Sequence, residues 1–140
     1  MLCVLLLCLT PPDPVRAVLE AQVSAWNRGD LPGFMATYWT DDRLTFASGG
    51  TLTRGWQATL DRYRKRYQEG GQEMGTLTFS ELAVEPLGES AAWVRGRYGL
   101  VFTRSDDRPT GLFTLVLRKL PEGWRIVHDH TSAAEVGKKN

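Results

Sequence analysis

Gly111-Leu-Phe-Thr-Leu-Val-Leu-Arg-Lys-Leu120, Pro121-Glu-Gly123 and Trp124-Arg-Ile-Val-His-Asp-His-Thr-Ser132 follow one another near the end of the chain. Two runs rich in β-branched, aromatic and leucine residues flank a Pro/Gly turn, which predicts an antiparallel hairpin. The second run holds both histidines of the chain, His128 and His130, on either side of Asp129. Side chains that titrate near neutral pH without perturbation are therefore confined to one strand end. That strand is the first place to look for a site.

Working back from the hairpin, Ala91–Phe102 predicts another long strand. Ala92, Val94, Tyr98, Leu100 and Phe102 share one phase, and Trp93, Arg95, Arg97 and Val101 the other. Gly96 and Gly99 imply bending or close backbone approach. In Thr76–Glu85 the apolar phase switches between Phe79 and Leu82, as a β-bulge near Ser80-Glu81 would require. Four consecutive long strands thus form the second half of the chain.

The first half reads as helical. Asp13 and Pro14 suit an N-cap and first helical position. Val15, Val18, Leu19, Val23 and Trp26 then recur at helical spacing until Asn27-Arg-Gly29 ends the helix. Asp30 caps a short second helix with Leu31, Phe34, Met35 and Tyr38 on one face, and Asp41-Asp42 reads as its polar exit. Arg43–Ala47 and Thr51–Thr53 predict a small hairpin about Ser48-Gly-Gly50. A third helix, capped by Thr53 or a neighbour, places Trp56, Leu60, Tyr63 and Tyr67 on one side until Gly70-Gly71 breaks it. Helices first and strands after predict an α+β fold with segregated layers. Three helices packed on a strongly curved antiparallel sheet enclose a cone, which is a natural small-molecule pocket.

Bulk properties narrow the function classes. One domain suits 140 residues, and a formal net charge of +1 supplies no basic excess for nucleic-acid binding. Arg62-Tyr-Arg-Lys-Arg66 reads as the solvated face of the third helix. The two cysteines, Cys3 and Cys8, both lie in an apolar run closed by Thr10-Pro-Pro-Asp-Pro14. That run is too short to span a membrane and resembles the apolar part of a signal peptide. The expected organisation is a signal-like segment over residues 1–12, one domain over 13–133 and a polar tail over 134–140. The protein is expected to be exported, to the periplasm or outside, if that segment directs export, and cytoplasmic otherwise. No stable membrane insertion of the domain is expected. Without cysteines the domain has no disulfide or thiolate chemistry. His128-x-His130 lacks a third ligand in sequence, so no metal is expected.

The helix–strand order, with Trp26-Asn-Arg-Gly-Asp30, Tyr38, Gly55, Gly111-Leu-Phe-Thr114 and Gly123–Ser132, resembles the nuclear-transport-factor-2-like superfamily. That group includes ketosteroid isomerase, SnoaL-type polyketide cyclases and the association domain of calcium/calmodulin-dependent kinase II. The similarity spans nearly all of residues 14–133, and is nearest to small bacterial SnoaL-like proteins. It implies a cone-shaped α+β barrel, and because this scaffold serves many activities it does not by itself imply a reaction. By analogy with the kinase domain, the Asp129/Thr131 phase faces the pocket along with Tyr98. His128, Arg95 and Arg97 then belong to the outer face, and an anionic ligand is disfavoured.

The expected function is binding of a small apolar or aromatic molecule, without a cofactor, by a homodimer joined through the outer sheet face. The expected pocket residues are Tyr38, Trp39, Trp56, Tyr63, Tyr98, Phe113, Asp129 and His130. One alternative is a cofactor-independent isomerase or cyclase in which Asp129 or His130 moves a proton and Tyr38 or Tyr63 stabilises an oxyanion. The other is a homodimerisation module joined through the outer sheet face by Trp93, Arg95 and Trp124, its cone filled by Phe34, Met35 and Phe113.

Overall fold

The computed structural model describes residues 11–135. Most of the expected export segment, and residues 136–140 of the polar tail, lie outside them. Helix α1 spans Pro14–Asn27, α2 Leu31–Met35 and α3 Trp56–Arg64, with α3 running on into a π-helical turn at Lys65–Glu69. The strands are β1 Thr45–Ser48, β2 Thr51–Arg54, β3 Thr76–Pro86, β4 Ala91–Val101, β5 Thr110–Leu120 and β6 Gly123–Ala133.

Local chemistry sets the helix starts. The Asp13 carboxylate accepts from the Val15 and Arg16 amides at 2.9 and 3.4 Å, which occupies donors that the first turn leaves unpaired. Asp30 does the same for Gly33 at 2.8 Å. Of the expected Thr53 or a neighbour, the cap of α3 is Gly55, and it makes no side-chain cap bond. Its φ of +92° lies where a side chain would be strained. The Trp56 amide is instead satisfied by the Asp41 carbonyl at 3.1 Å.

The six strands form one open sheet in the order β2-β1-β6-β5-β4-β3. The expected sheet was wholly antiparallel and barrel-like. Its four long strands are antiparallel, but β1 pairs with β6 in parallel, so the sheet is mixed. The reason is the path of the chain after α2. The Trp39 amide donates to the Ile126 carbonyl at 2.9 Å, and the Ile126 amide donates to the Thr37 carbonyl at 3.0 Å. The segment leading into β1 therefore runs alongside β6 in the same direction.

Two bulges reshape the sheet. One falls between Ser80 and Ala83 in β3, where Glu81 takes φ +53°. The other lies in β6: Val116 faces His128 while Leu117 faces Ile126, leaving Val127 without a partner. Because side chains alternate along a strand, one extra residue reverses the phase beyond it. Ile126 and Asp129 are therefore both buried, at 0% and 4% exposure. Trp124, expected on the outer face as a dimer anchor, packs against the core.

The core lies between the helices and the inner face of the sheet, where Leu19, Met35, Val94, Leu117 and Ile126 are almost completely buried. Asn27 ties α1 to β3: its amide nitrogen donates to the Leu77 carbonyl at 3.0 Å, and its oxygen accepts from the Leu77 amide at 2.7 Å. Gly96 lets β4 pass close to its neighbours, since a Cβ there would come within 2.6 Å of Phe113 Cζ. No described helix is long and apolar enough to cross a membrane.

Candidate functional site

A cavity of about 200 Å³ opens between the helices and the inner sheet face. Its helical wall is aromatic. Trp26 and Phe34 meet edge to face at 5.0 Å, as do Trp26 and Tyr67, while Tyr63 stacks on Tyr67 at 6.0 Å. The sheet wall is formed by Leu77, Phe79, Tyr98, Leu100, Phe113 and Leu115. Phe79 and Phe113 pack at 4.8 Å, the Phe113 ring lying where a Cβ on Gly96 would stand.

The polar groups gather at the two ends. At the buried end, the Tyr38 hydroxyl donates to Asp129 Oδ2 at 2.7 Å. The Thr131 hydroxyl donates to Asp129 Oδ1, also at 2.7 Å. Gln22, only 2% exposed, reaches the same Tyr38 hydroxyl. At the open end stand two exposed arginines, Arg62 and Arg66.

Burial dominates the electrostatics of the inner cluster. Loss of water pushes the Asp129 carboxyl up from 3.8 to about 6, and the bonds from Tyr38 and Thr131 and the nearby His130 only partly counter it. Burial, and the Asp129 charge beside it, hold Tyr38 well above the usual phenol range. Tyr63 is raised by the same two causes. Both phenols are therefore neutral hydrogen-bond donors at pH 7, next to a carboxyl that exchanges its proton close to neutrality. Such an arrangement can anchor a carbonyl or hydroxyl group, or accept a proton from a bound molecule.

Of the residues expected in the pocket, Tyr38, Tyr63, Tyr98, Phe113 and Asp129 line this cavity. Trp39, Trp56 and His130 do not. Trp39 lies beneath the Arg43 guanidinium, 4.5 Å from its ring centre. Trp56 donates its indole N–H to the Met35 carbonyl at 2.9 Å, tying α3 to α2. His130 is exposed and pairs with Thr114 on β5. With Asp129 turned inward, alternation turns the residues on either side of it outward. His128 accordingly meets Thr45, its Nδ1 2.6 Å from the Thr45 hydroxyl. Burial and the neighbouring His130 hold its pKa below the usual value.

Arg95 and Arg97 lie outside the cavity, with Arg97 bonded to Glu81. The expected absence of basic groups from the pocket does not follow, because Arg62 and Arg66 line it. The sequence reading missed them by treating their segment as a solvated face. It also missed Gln22, which stands at helical spacing from Leu19 and Trp26. A polar residue on an apolar stripe was the available signal.

A family model described as a SnoaL-like domain matches residues 15–135. Among solved structures, the chain is similar to an NTF-2 like protein of unknown function from Shewanella oneidensis. The two are 39% identical, with 88% of this chain and 99% of that chain covered, at a TM-score of 0.79. A ketosteroid isomerase-like protein from Erwinia carotovora atroseptica is 21% identical, over 88% of this chain and 95% of that one, at a TM-score of 0.71. An NTF2-like superfamily protein from Salmonella enterica is 22% identical, over 89% and 92%, at 0.67. The last two likenesses concern the fold alone. A search of the curated proteins finds no match.

Proposed function

We propose, from the premise that this chain belongs to the SnoaL-like domain family, that its cavity binds one small, largely apolar or aromatic molecule. The ligand's inner end hydrogen-bonds at the Tyr38–Asp129 pair. The supporting observation is the placement of this buried pair at the end of a space walled by aromatic rings. An apolar cavity of roughly 150 Å³ accepts benzene, so about 200 Å³ suits a molecule of one or two rings. Ring stacking supplies affinity, and the inner polar cluster supplies orientation. Calorimetric titration with 2-naphthol and with naphthalene tests this. Saturable binding of 2-naphthol, weakened in Tyr38→Phe and tighter than that of naphthalene, is the expected result. No heat and no thermal shift with any one- or two-ring phenol or ketone would overturn it.

A second reading, proton transfer, is favoured by the Asp129 carboxyl at about 6. A base in that range is matched to neutral pH. The ionised carboxylate would take a proton from a carbon beside a ligand carbonyl, the C–H electron pair moving into the enolate. The neutral Tyr63 hydroxyl would hold the oxyanion, and the proton would return at another carbon. Only C–H and O–H bonds break and form, so the step needs no redox partner. Deuterium wash-in to a bound cyclic enone, followed by NMR in D2O, should fall about 10²-fold or more in Asp129→Asn. Equal exchange by both proteins would leave binding alone.

A further inference from the structure

We infer that the ligand carries a carboxylate at its solvent-facing end, clasped by Arg62 and Arg66, so that the cavity is built for an amphiphilic aryl or alkyl acid. This rests on the ligand-binding reading and adds the chemical class. Arg62 and Arg66 stand one turn apart on the helical wall and both line the cavity while remaining exposed. Neither takes part in an ion pair among the described residues; the arginines so paired are Arg16, Arg28, Arg43 and Arg97.

Both guanidiniums are held over aromatic rings that line the cavity, one from strand β1 and one from the helical wall. Arg62 lies 5.5 Å from the centre of Phe46, and Arg66 lies 5.4 Å from that of Tyr67. Arg62 also donates to the Thr53 hydroxyl at 3.2 Å. Stacking restrains long side chains that would otherwise sweep through solvent, and leaves N–H edges for an incoming anion. The π-helical turn Lys65–Glu69 begins just before Arg66, widening the helix where Arg66 and Tyr67 reach the cavity. Such turns recur at functional sites.

Among the described residues the only carboxylate lining the cavity is Asp129, which is buried while the two arginines are exposed. The space therefore combines two solvent-exposed cations, walls of aromatic rings and a buried hydrogen-bonding pair. A carboxylate fits the two arginines because guanidinium presents paired N–H donors matched to its two oxygens. Carried on a short apolar body, it would leave that body among the rings.

Calorimetry with 4-phenylbutanoate and its neutral isostere 4-phenylbutanamide tests the inference on the full chain. The acid should bind about tenfold more tightly than the amide, a difference on the order of 1.4 kcal/mol, and the preference should shrink with added salt. In the double variant Arg62→Gln, Arg66→Gln the preference of the acid over the amide should vanish. The variant with Lys at both positions should retain part of it. Equal affinity for acid and amide in the native protein, or a preference that survives the double substitution, would overturn the inference while leaving the binding reading intact. If neither compound binds while 2-naphthol does, this inference falls and the binding reading stands.

Discussion

Asp129 shows how much one residue depends on its surroundings. Its folded value of about 6 exceeds the unfolded 3.8, so folding favours the protonated form. That contribution to stability is complete below about pH 3.8 and is lost as pH rises through about 6. His128, held below 6.5, works in the opposite direction over a neighbouring range, its contribution present above 6.5 and lost as pH falls. Comparing the native protein with Asp129→Asn cancels the histidine. The stability of the variant relative to the native chain should rise from pH 4 to pH 7 and then level off. The full change is on the order of 3 kcal/mol, measured as melting temperature by circular dichroism. Parallel melting curves at every pH would sink the claim of a buried, raised carboxyl. The identity of Asp129 as a candidate was legible, because it is the only acid in the last strand. Its perturbed titration was not, because it comes from burial in the folded core, which brings together groups distant in sequence.

At the scale of elements, alternation and capping were readable wherever the chain obeyed them locally. Asp13, Pro14, Asp30 and the bulge after Phe79 all left signals within a few residues of themselves. The β6 bulge left none. Val127 looks like an ordinary strand residue, and only the registers Val116–His128 and Leu117–Ile126 reveal it. That bulge separates Trp124 and Ile126, which turn inward, from the histidines that strict alternation grouped with them. The joint between α1 and β3 was equally silent, since it depends on Asn27 meeting Leu77 across 50 residues. Asn27→Ala would leave both Leu77 backbone groups without that partner. The expected cost is about 1–3 kcal/mol, read from urea denaturation. A change below a few tenths would show that the joint contributes nothing to stability.

At the scale of the whole molecule, the fold keeps open a space that packing would otherwise fill. Interiors are close-packed, and an unfilled apolar volume costs stability. Leu100→Trp, placed on the sheet wall of the cavity, should therefore raise the melting temperature by about 2–4 °C and abolish 2-naphthol binding. That pairing of greater stability with lost function is the usual trade at a binding site. A variant that is more stable and still binds would place the ligand elsewhere. The sequence by itself determined the element order, the helix caps, the hairpins and the SnoaL-like family, because these follow from spacing, turn chemistry and local motifs. Only the tertiary structure decided that the sheet is open and mixed, which aromatic residues line the cavity, that His130 turns away and that Arg62 and Arg66 line the cavity while staying exposed. Those outcomes depend on strand register and on helix-to-sheet packing, where residues far apart in the chain set each other's burial and charge.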